Sequence, residues 1–161
     1  MSSQSDRSER RTDVAALHEF CVQAMLCSGM SRADAEVTAQ VLVTTDTWGV
    51  YTHGSKQLRP LLRNMRDGRL CADAAPEIAR EGPGWALIDG HDAMPMVTST
   101  LAMRTAIAKA RATGIAYVGV YHSGHFGAAG YYAVMAALEG LIGLSMCNVE
   151  PMMTVPGARG K

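Results

Sequence analysis

The sequence predicts an α/β (α+β) protein, with a helical N-terminal region followed by a domain built on a mixed sheet. Apolar residues recur at helical spacing through the first part of the chain. After about residue 70, apolar runs alternate as strand, helix, strand, helix, strand, which favours crossover connections and some parallel pairing. With 161 residues, 48% of them hydrophobic, the chain can bury a core. We expect a disordered tail at 1–11, a helical domain at 12–70 and an α/β domain at 71–161.

Three helices are predicted in the N-terminal region. The first is indicated by apolar residues on one stripe: Val14, Leu17, Phe20, Cys21 and Leu26. The second begins after Ser31, a typical N-cap residue, and runs to about Thr47. Residues 48–54 interrupt the helical pattern. The third helix starts near Arg59 and ends at Gly68, a typical C-terminal stop.

The C-terminal region alternates between strand and helix signals. We predict a short strand at 85–90, a long helix at 96–112 and a strand at 115–121. The strand at 115–121 is apolar on both faces, which is typical of a buried strand. A second helix is predicted at 131–138 and a last strand at 141–146.

Composition excludes several classes of function. Lys plus Arg equals Asp plus Glu at 15 each, so there is no excess of positive charge with which to bind nucleic acid. Apolar stretches are interrupted before they could cross a bilayer, and the polar N-terminus does not resemble a signal peptide. The four cysteines have no zinc-site spacing, so no metal site is predicted. We expect a cytoplasmic protein without membrane or nucleic-acid partners.

The segment 121–132 is the strongest candidate for a functional site, because it joins a predicted strand to a predicted helix. Its glycines let the backbone approach a ligand closely: Gly124, Gly127 and Gly130. They do not spell the Rossmann fingerprint. His125 is either a neutral-pH acid and base or a histidine that satisfies backbone groups in a tight turn. With His122 it makes two imidazoles without a third neighbouring ligand, a weak case for a metal.

Two further segments carry polar candidates. In the segment between the second and third helices, Thr52 and His53 can donate hydrogen bonds to an anion, and Lys56 and Arg59 can supply charge. The alternative is a plain connection between helices, which is the more common role of exposed polar groups in a loop. Asn148 follows the last predicted strand, where it either contacts a cofactor or forms a turn.

Five stretches together resemble the malate/L-lactate dehydrogenase family of the non-Rossmann type, also called the sulfolactate dehydrogenase-like family. The matching stretches occur in the family's order from about residue 12 onwards: 49–54 (GVYTHG), 89–90 (DG), 110–115 (ARATGI), 124–132 (GHFGAAGYY), and Asn148 with Pro151. The resemblance implies a helical N-terminal domain on a non-Rossmann dinucleotide-binding domain, and a homodimer.

The resemblance also implies an activity and a set of site residues. Members of the family reduce 2-oxo acids to 2-hydroxy acids such as malate and lactate, or reduce cyclic imino acids in some branches. Their cofactor is NAD or NADP. His125 would be the catalytic acid and base. Thr52 and His53 would hold the substrate, while Gly127, Gly130 and Asn148 would lie along the cofactor.

The sequence departs from the family in two respects. Many members carry arginine and tyrosine where this chain has Gln57 and Leu61, so Lys56 or Arg59 would have to replace the arginine as carboxylate partner. Family members are also longer, so we expect the cofactor-binding domain to be incomplete at its C-terminus and to leave a sheet edge open. The alternative to an oxidoreductase is a non-catalytic fragment that only binds a partner or ligand.

Overall fold

A computed structural model describes residues 11–148. Its N-terminal region consists of α1 (Val14–Leu26), α2 (Arg32–Thr47) and α3 (Leu58–Arg66), which confirms the three predicted helices. The Ser31 side chain caps α2 by accepting a hydrogen bond from the Asp34 amide at 3.1 Å. The tail predicted at 1–11 lies outside the described residues, except for its last residue.

Within the described residues the sheet has the order β1-β2-β3, formed by β1 (Glu77–Gly82), β2 (Trp85–Asp89) and β3 (Tyr117–Tyr121). β1 pairs with β2 antiparallel and β2 pairs with β3 parallel, so the sheet is mixed, as predicted. The crossover between the parallel strands is α4 (Pro95–Thr113). The parallel register places the last residues of β2 and β3, Asp89 and Tyr121, side by side.

The helices of the C-terminal region also agree with the prediction. α4 ends at Gly114, whose φ of 86° places it in the left-handed region that favours glycine. After β3, the chain passes through the glycine turn into α5 (Ala129–Leu138). α4 packs against α2, α5 and both parallel strands, and so connects the helical region to the sheet.

The last predicted strand is wrong. Residues 141–148 are described and form no strand. This segment instead packs against α5, where the Leu141 amide donates to the Ala136 carbonyl at 3.0 Å. A Cβ on Gly143 would lie only 2.9 Å from the Ala133 Cα, so the backbone lies directly on the helix. A strand needs a neighbour with which to share its backbone hydrogen bonds, and apolar pattern alone does not supply one.

The predicted burial of the strand at 115–121 is also wrong. β3 pairs with β2 alone in the described part of the chain, and Tyr117 is 72% exposed. An edge strand covered on few sides leaves its side chains in contact with solvent, so its apolar composition does not imply burial here. Within residues 11–148, β3 thus leaves one edge of the sheet open, as expected from the greater length of family members.

One hydrophobic core unites the helical region with α4 and α5. It includes Met25 of α1, Leu42 of α2, Met96 of α4 and Tyr132 of α5, all at most 1% exposed. None of the helices among residues 11–148 is both long and apolar enough to span a membrane.

Candidate active site

The fold brings two histidines together from distant parts of the sequence. His53 lies in the connection after α2, and His125 lies in the glycine turn after β3. Their ring centroids are 5.3 Å apart and the rings are tilted by 50°. Both residues were predicted as site residues, and the structure places them as neighbours.

The pKa of His125 is held below the ordinary histidine value of 6.5. Partial burial of the ring is the main cause, because the charged imidazolium loses water there, and charge repulsion from His53 adds to it. The side chain as a whole remains accessible to solvent. The neutral imidazole of His125 is therefore favoured, and the ring is open to a small ligand.

The loop that carries His53 is fixed by hydrogen bonds on both sides. Thr52 Oγ1 lies 2.9 Å from His53 Nδ1, within hydrogen-bonding distance. Gln57 Nε2 donates to the Thr52 carbonyl at 2.6 Å. Gln57 thus acts on the backbone of this loop.

Asp46, at the end of α2, anchors the other side of the same loop. Its Oδ2 accepts a hydrogen bond from the Ser55 amide at 2.9 Å. The Asp46 carboxylate occupies the space that a side chain at position 54 would need, so Gly54 is required after His53. The sequence predicted no role for Asp46. Asp46 and Ser55 are far apart along the chain, so no sequence pattern indicates the hydrogen bond between them.

The glycine turn packs directly against the His53 loop. Gly127 has φ +82°, a backbone conformation that favours glycine. A Cβ built there would lie 3.6 Å from the His53 carbonyl oxygen. The end of the turn is held by Tyr132, whose buried hydroxyl donates to the Phe126 carbonyl at 2.6 Å. Burial raises the pKa of Tyr132, so this hydroxyl stays protonated and keeps donating.

The predicted cofactor residues Gly130 and Asn148 are both exposed. Gly130 lies in the first turn of α5, and nothing is within 4 Å of the position its Cβ would take. The N-cap residue of α5 is Ala128, and none of the described side chains caps this helix end. The Tyr131 amide donates to the Ala128 carbonyl at 3.0 Å, so the Ala129 and Gly130 amides are the ones at this helix end that can receive an anionic ligand. Asn148 follows the irregular segment on α5 rather than a strand.

Lys56 and Arg59 line a different surface. They belong to a groove of about 1160 Å³ between α1 and α3, together with Arg63, Arg66 and the apolar side chains of Phe20 and Leu62. Neither His53 nor His125 is among the described residues that line this groove. The proposed role of Lys56 and Arg59 in substrate binding thus remains a prediction.

Within residues 11–148, no three His, Cys, Asp or Glu side chains lie close enough together to hold a metal ion. The candidate site is therefore built from imidazoles, a hydroxyl and backbone groups. This arrangement can transfer a proton to or from an oxygen atom of a bound ligand and can donate hydrogen bonds to an anion.

The fold and the site together define the class of protein. A helical N-terminal region precedes a mixed α/β domain, a histidine pair lies at a glycine turn, and that turn lacks the Rossmann fingerprint. A family model described as malate/L-lactate dehydrogenase matches residues 12–161. The chain therefore belongs to the malate/L-lactate dehydrogenase family, as its motifs indicated.

Individual relatives agree with this assignment. The chain is 40% identical to a malate dehydrogenase of Pyrococcus abyssi over 141 residues, which is 88% of this chain and 39% of that protein. It is 38% identical to an L-sulfolactate dehydrogenase of Methanothermobacter thermautotrophicus, over 78% of this chain and 37% of that protein. The malate dehydrogenase structure from Pyrococcus horikoshii superimposes with a TM-score of 0.81 at 36% identity, covering 86% of this chain and 40% of that chain. The chain thus spans about two-fifths of the length of these relatives.

Proposed function

We propose that this chain forms part of an NAD- or NADP-dependent oxidoreductase that transfers a hydride between a nicotinamide and a 2-oxo or 2-hydroxy acid. The observation that carries the proposal is the His53–His125 pair at the glycine turn, in a chain that belongs to this family. We also propose a homodimer, as the family resemblance implies, and a cytoplasmic location.

His125 is the acid and base in this proposal. During reduction it donates a proton to the oxygen on C2 of the substrate, and in the reverse direction it takes that proton back. A positioned acid or base of this kind contributes on the order of 10² to 10⁴ in rate. The lowered pKa favours the neutral ring, which is the form that accepts the proton when the hydroxy acid is oxidised. Reduction needs the charged ring, which the carboxylate of a bound substrate favours.

Thr52 and His53 are proposed to hold the substrate, with Lys56 or Arg59 pairing with its carboxylate. Relatives are named as malate, sulfolactate and ureidoglycolate dehydrogenases. All three compounds carry a hydroxyl group next to a carboxylate, so a 2-hydroxy acid is the common chemistry. The neighbouring imidazoles and the Thr52 hydroxyl can donate hydrogen bonds to such an anion.

A nicotinamide dinucleotide fits the glycine turn. The uncapped first turn of α5 can bind a phosphate, and the open space at Gly130 lets a ligand approach the backbone. We propose that Gly127, Gly130 and Asn148 lie along this cofactor, which supplies the hydride when it is bound.

The test is a substrate panel on the complete protein that contains this chain, purified from its source. Oxaloacetate, pyruvate, sulfopyruvate and a cyclic imino acid are each mixed with NADH or NADPH, and the loss of reduced nicotinamide is followed. We expect turnover with at least one 2-oxo acid. Turnover with the imino acid alone would favour an imino-acid reductase, and no turnover would favour a non-catalytic binding fragment.

The variant His125→Ala, prepared and assayed in parallel, tests the acid role of His125. We expect turnover to fall a hundredfold or more while the nicotinamide Kd changes by less than about threefold, because His125 acts on the reacting oxygen. Turnover that survives at the original rate would contradict the acid role of His125.

A further inference from the structure

A polar cluster lies at the ends of the two parallel strands, outside the histidine pair. β2 ends at Asp89 and β3 ends at Tyr121, and these two residues are register partners. Directly after each of these strands the backbone turns through the left-handed region: His91, Asp92 and His122 have φ of 48°, 54° and 46°. Each is an L-residue in a conformation that disfavours side chains, so both turns need to be held in place.

The two turns interlock through their backbones. The Gly90 amide donates to the Tyr121 carbonyl, and the Asp92 amide donates to the His122 carbonyl, both at 2.9 Å. A Cβ on Gly90 would lie 2.6 Å from the His122 carbonyl oxygen, so the two backbones lie in direct contact. Movement of one turn therefore moves the other.

The Asp89 carboxylate bonds to both turns. Its Oδ1 accepts from the His91 amide at 2.9 Å and lies 3.0 Å from His122 Nδ1. The Asp89 side chain is only 13% exposed, so water is a poor substitute for these partners.

Asp89 carries its charge at neutral pH. Burial acts to raise its pKa, but the hydrogen bonds from the His91 amide and His122 outweigh this effect, so the pKa lies below its usual value. The His91 ring also links Asp89 to a second carboxylate: its Nδ1 lies 3.5 Å from Asp89 Oδ1 and its Nε2 lies 3.1 Å from Glu77 Oε1. The charged form of Asp89 is thus the one that fits its donors.

Both turns lead directly into the candidate site. His122 precedes His125 by one short stretch, and a Cβ on the intervening Gly124 would lie 3.4 Å from Pro95 Cγ. The other turn leads into α4, whose Met96 lies against Gly127. The loop that carries His125 is therefore held between the Asp89 cluster on one side and α4 on the other.

We propose that Asp89 is a positioning residue, which fixes the orientation of His125 by bonding the two left-handed turns together. The expected effect on turnover rests on the proposed function, whereas the expected effect on the His125 ring does not. Asp89 is not proposed to touch substrate or cofactor. Because a misplacement of about 1 Å at a reacting group costs on the order of 10²-fold in rate, loss of this bond should affect turnover more than binding.

The test compares Asp89→Ala, Asp89→Asn and His122→Asn with the control Asp67→Ala. Asp67 is a surface carboxylate that pairs with Arg66 at the end of α3. Asparagine at position 122 tolerates the left-handed backbone, and its amide can donate to Asp89. The first readout is the NMR signal and titration midpoint of the His125 ring in the 161-residue chain. The second is kcat and KM.

We expect Asp89→Ala to shift the His125 ring signals and to lower kcat at least tenfold with KM within about twofold. His122→Asn should keep both near wild type, and Asp67→Ala should change neither. Should Asp89→Ala fail to fold, Asp89→Asn carries the test, since it keeps the side-chain shape and removes the charge. We expect a smaller shift of the same His125 signals in that variant.

The proposal is overturned if a folded Asp89 variant leaves the His125 signals where they were, or if Asp67→Ala shifts them equally. It is also overturned if His122→Asn disturbs them as strongly as Asp89→Ala. If wild-type protein shows no turnover while Asp89→Ala still shifts the His125 ring, the proposed function fails and the positioning role stands. The NMR measurement thus separates the two.

Discussion

At the scale of single residues, the proximity of two imidazoles sets the chemistry of the candidate site. A second positive charge beside His53 is unfavourable, and partial burial of His125 adds a larger penalty. Both effects favour the neutral ring of His125. The site can then take up a proton when an anionic ligand arrives, because a carboxylate beside the pair favours the charged form.

This electrostatic account predicts the effect of His53→Asn. Removing the neighbouring imidazole should raise the pKa of His125, although the shift stays partial because burial is the larger cause. Reduction needs protonated His125, so the fall in kcat/KM with rising pH should move to higher pH in the variant. NMR titration of the His125 ring measures the same shift without turnover. An unchanged midpoint, or an equal change in the control His18→Asn on α1, would contradict it.

Lys56 and Arg59 allow a sharp test of the substrate contacts, since the groove they line excludes the histidine pair among its described residues. If either cation holds the substrate carboxylate, its replacement by alanine should raise KM at least tenfold with little change in kcat, as expected for loss of ground-state binding. Arg63→Ala is the matched control in the same groove. Unchanged KM in both variants would leave the carboxylate to Thr52 and His53.

The candidate site shows what sequence reasoning could reach. His125 stood out because it lies between glycines at a strand-to-helix junction, and His53 because it precedes a glycine in a polar connection. Their proximity could not be predicted from spacing, because it depends on how α2 packs against α4. The roles of Gln57 and Asp46 were missed for the same reason: each bonds to backbone, which leaves no pattern in the sequence.

At the scale of elements, helices were predictable and strands were not always so. A helix satisfies its own backbone hydrogen bonds, so periodicity and caps such as Ser31 and Gly114 suffice to locate it. β1 was not predicted, because half of its residues are charged and it forms only as the hairpin partner of β2. The segment 141–146 shows the reverse, since it has an apolar pattern but packs on α5.

The glycine turn offers a prediction that separates folding from ligand binding. Gly127→Ala should lower the free energy of unfolding by about 1–2 kcal/mol, because its left-handed backbone disfavours a side chain. Gly130→Ala should leave stability unchanged or raise it by up to about 1 kcal/mol, since alanine is the better helix former. Urea denaturation measures both.

The same pair of variants tests the proposed cofactor site. If the nicotinamide dinucleotide lies along Gly130, Gly130→Ala should raise its Kd at least tenfold while the protein stays as stable as wild type. An unchanged Kd would remove Gly130 from the cofactor site. Equal destabilisation by the two variants would contradict the distinction that the backbone angles draw between them.

At the scale of the whole molecule, exposed apolar side chains gather in the last third of the described chain. Ile142 is 96% exposed, and five other large apolar side chains there are also mostly exposed: Ile115, Tyr117, Leu138, Leu144 and Met146. β3 is also an edge strand within the described residues. With a net charge of zero, the chain has little electrostatic repulsion to oppose association through such surfaces.

We therefore expect the 161-residue chain to self-associate, in keeping with the proposed homodimer. Sedimentation velocity should show species heavier than 17.2 kDa whose share grows with concentration. Replacing Ile142 and Leu144 together with lysine should shift the protein toward monomer, because the added charges repel and the apolar area is lost. Val14→Lys is the matched control, since Val14 is a half-exposed apolar residue on α1, at the other end of the sequence. A monomer at every concentration, or equal effects of the two changes, would show that this apolar surface does not drive association.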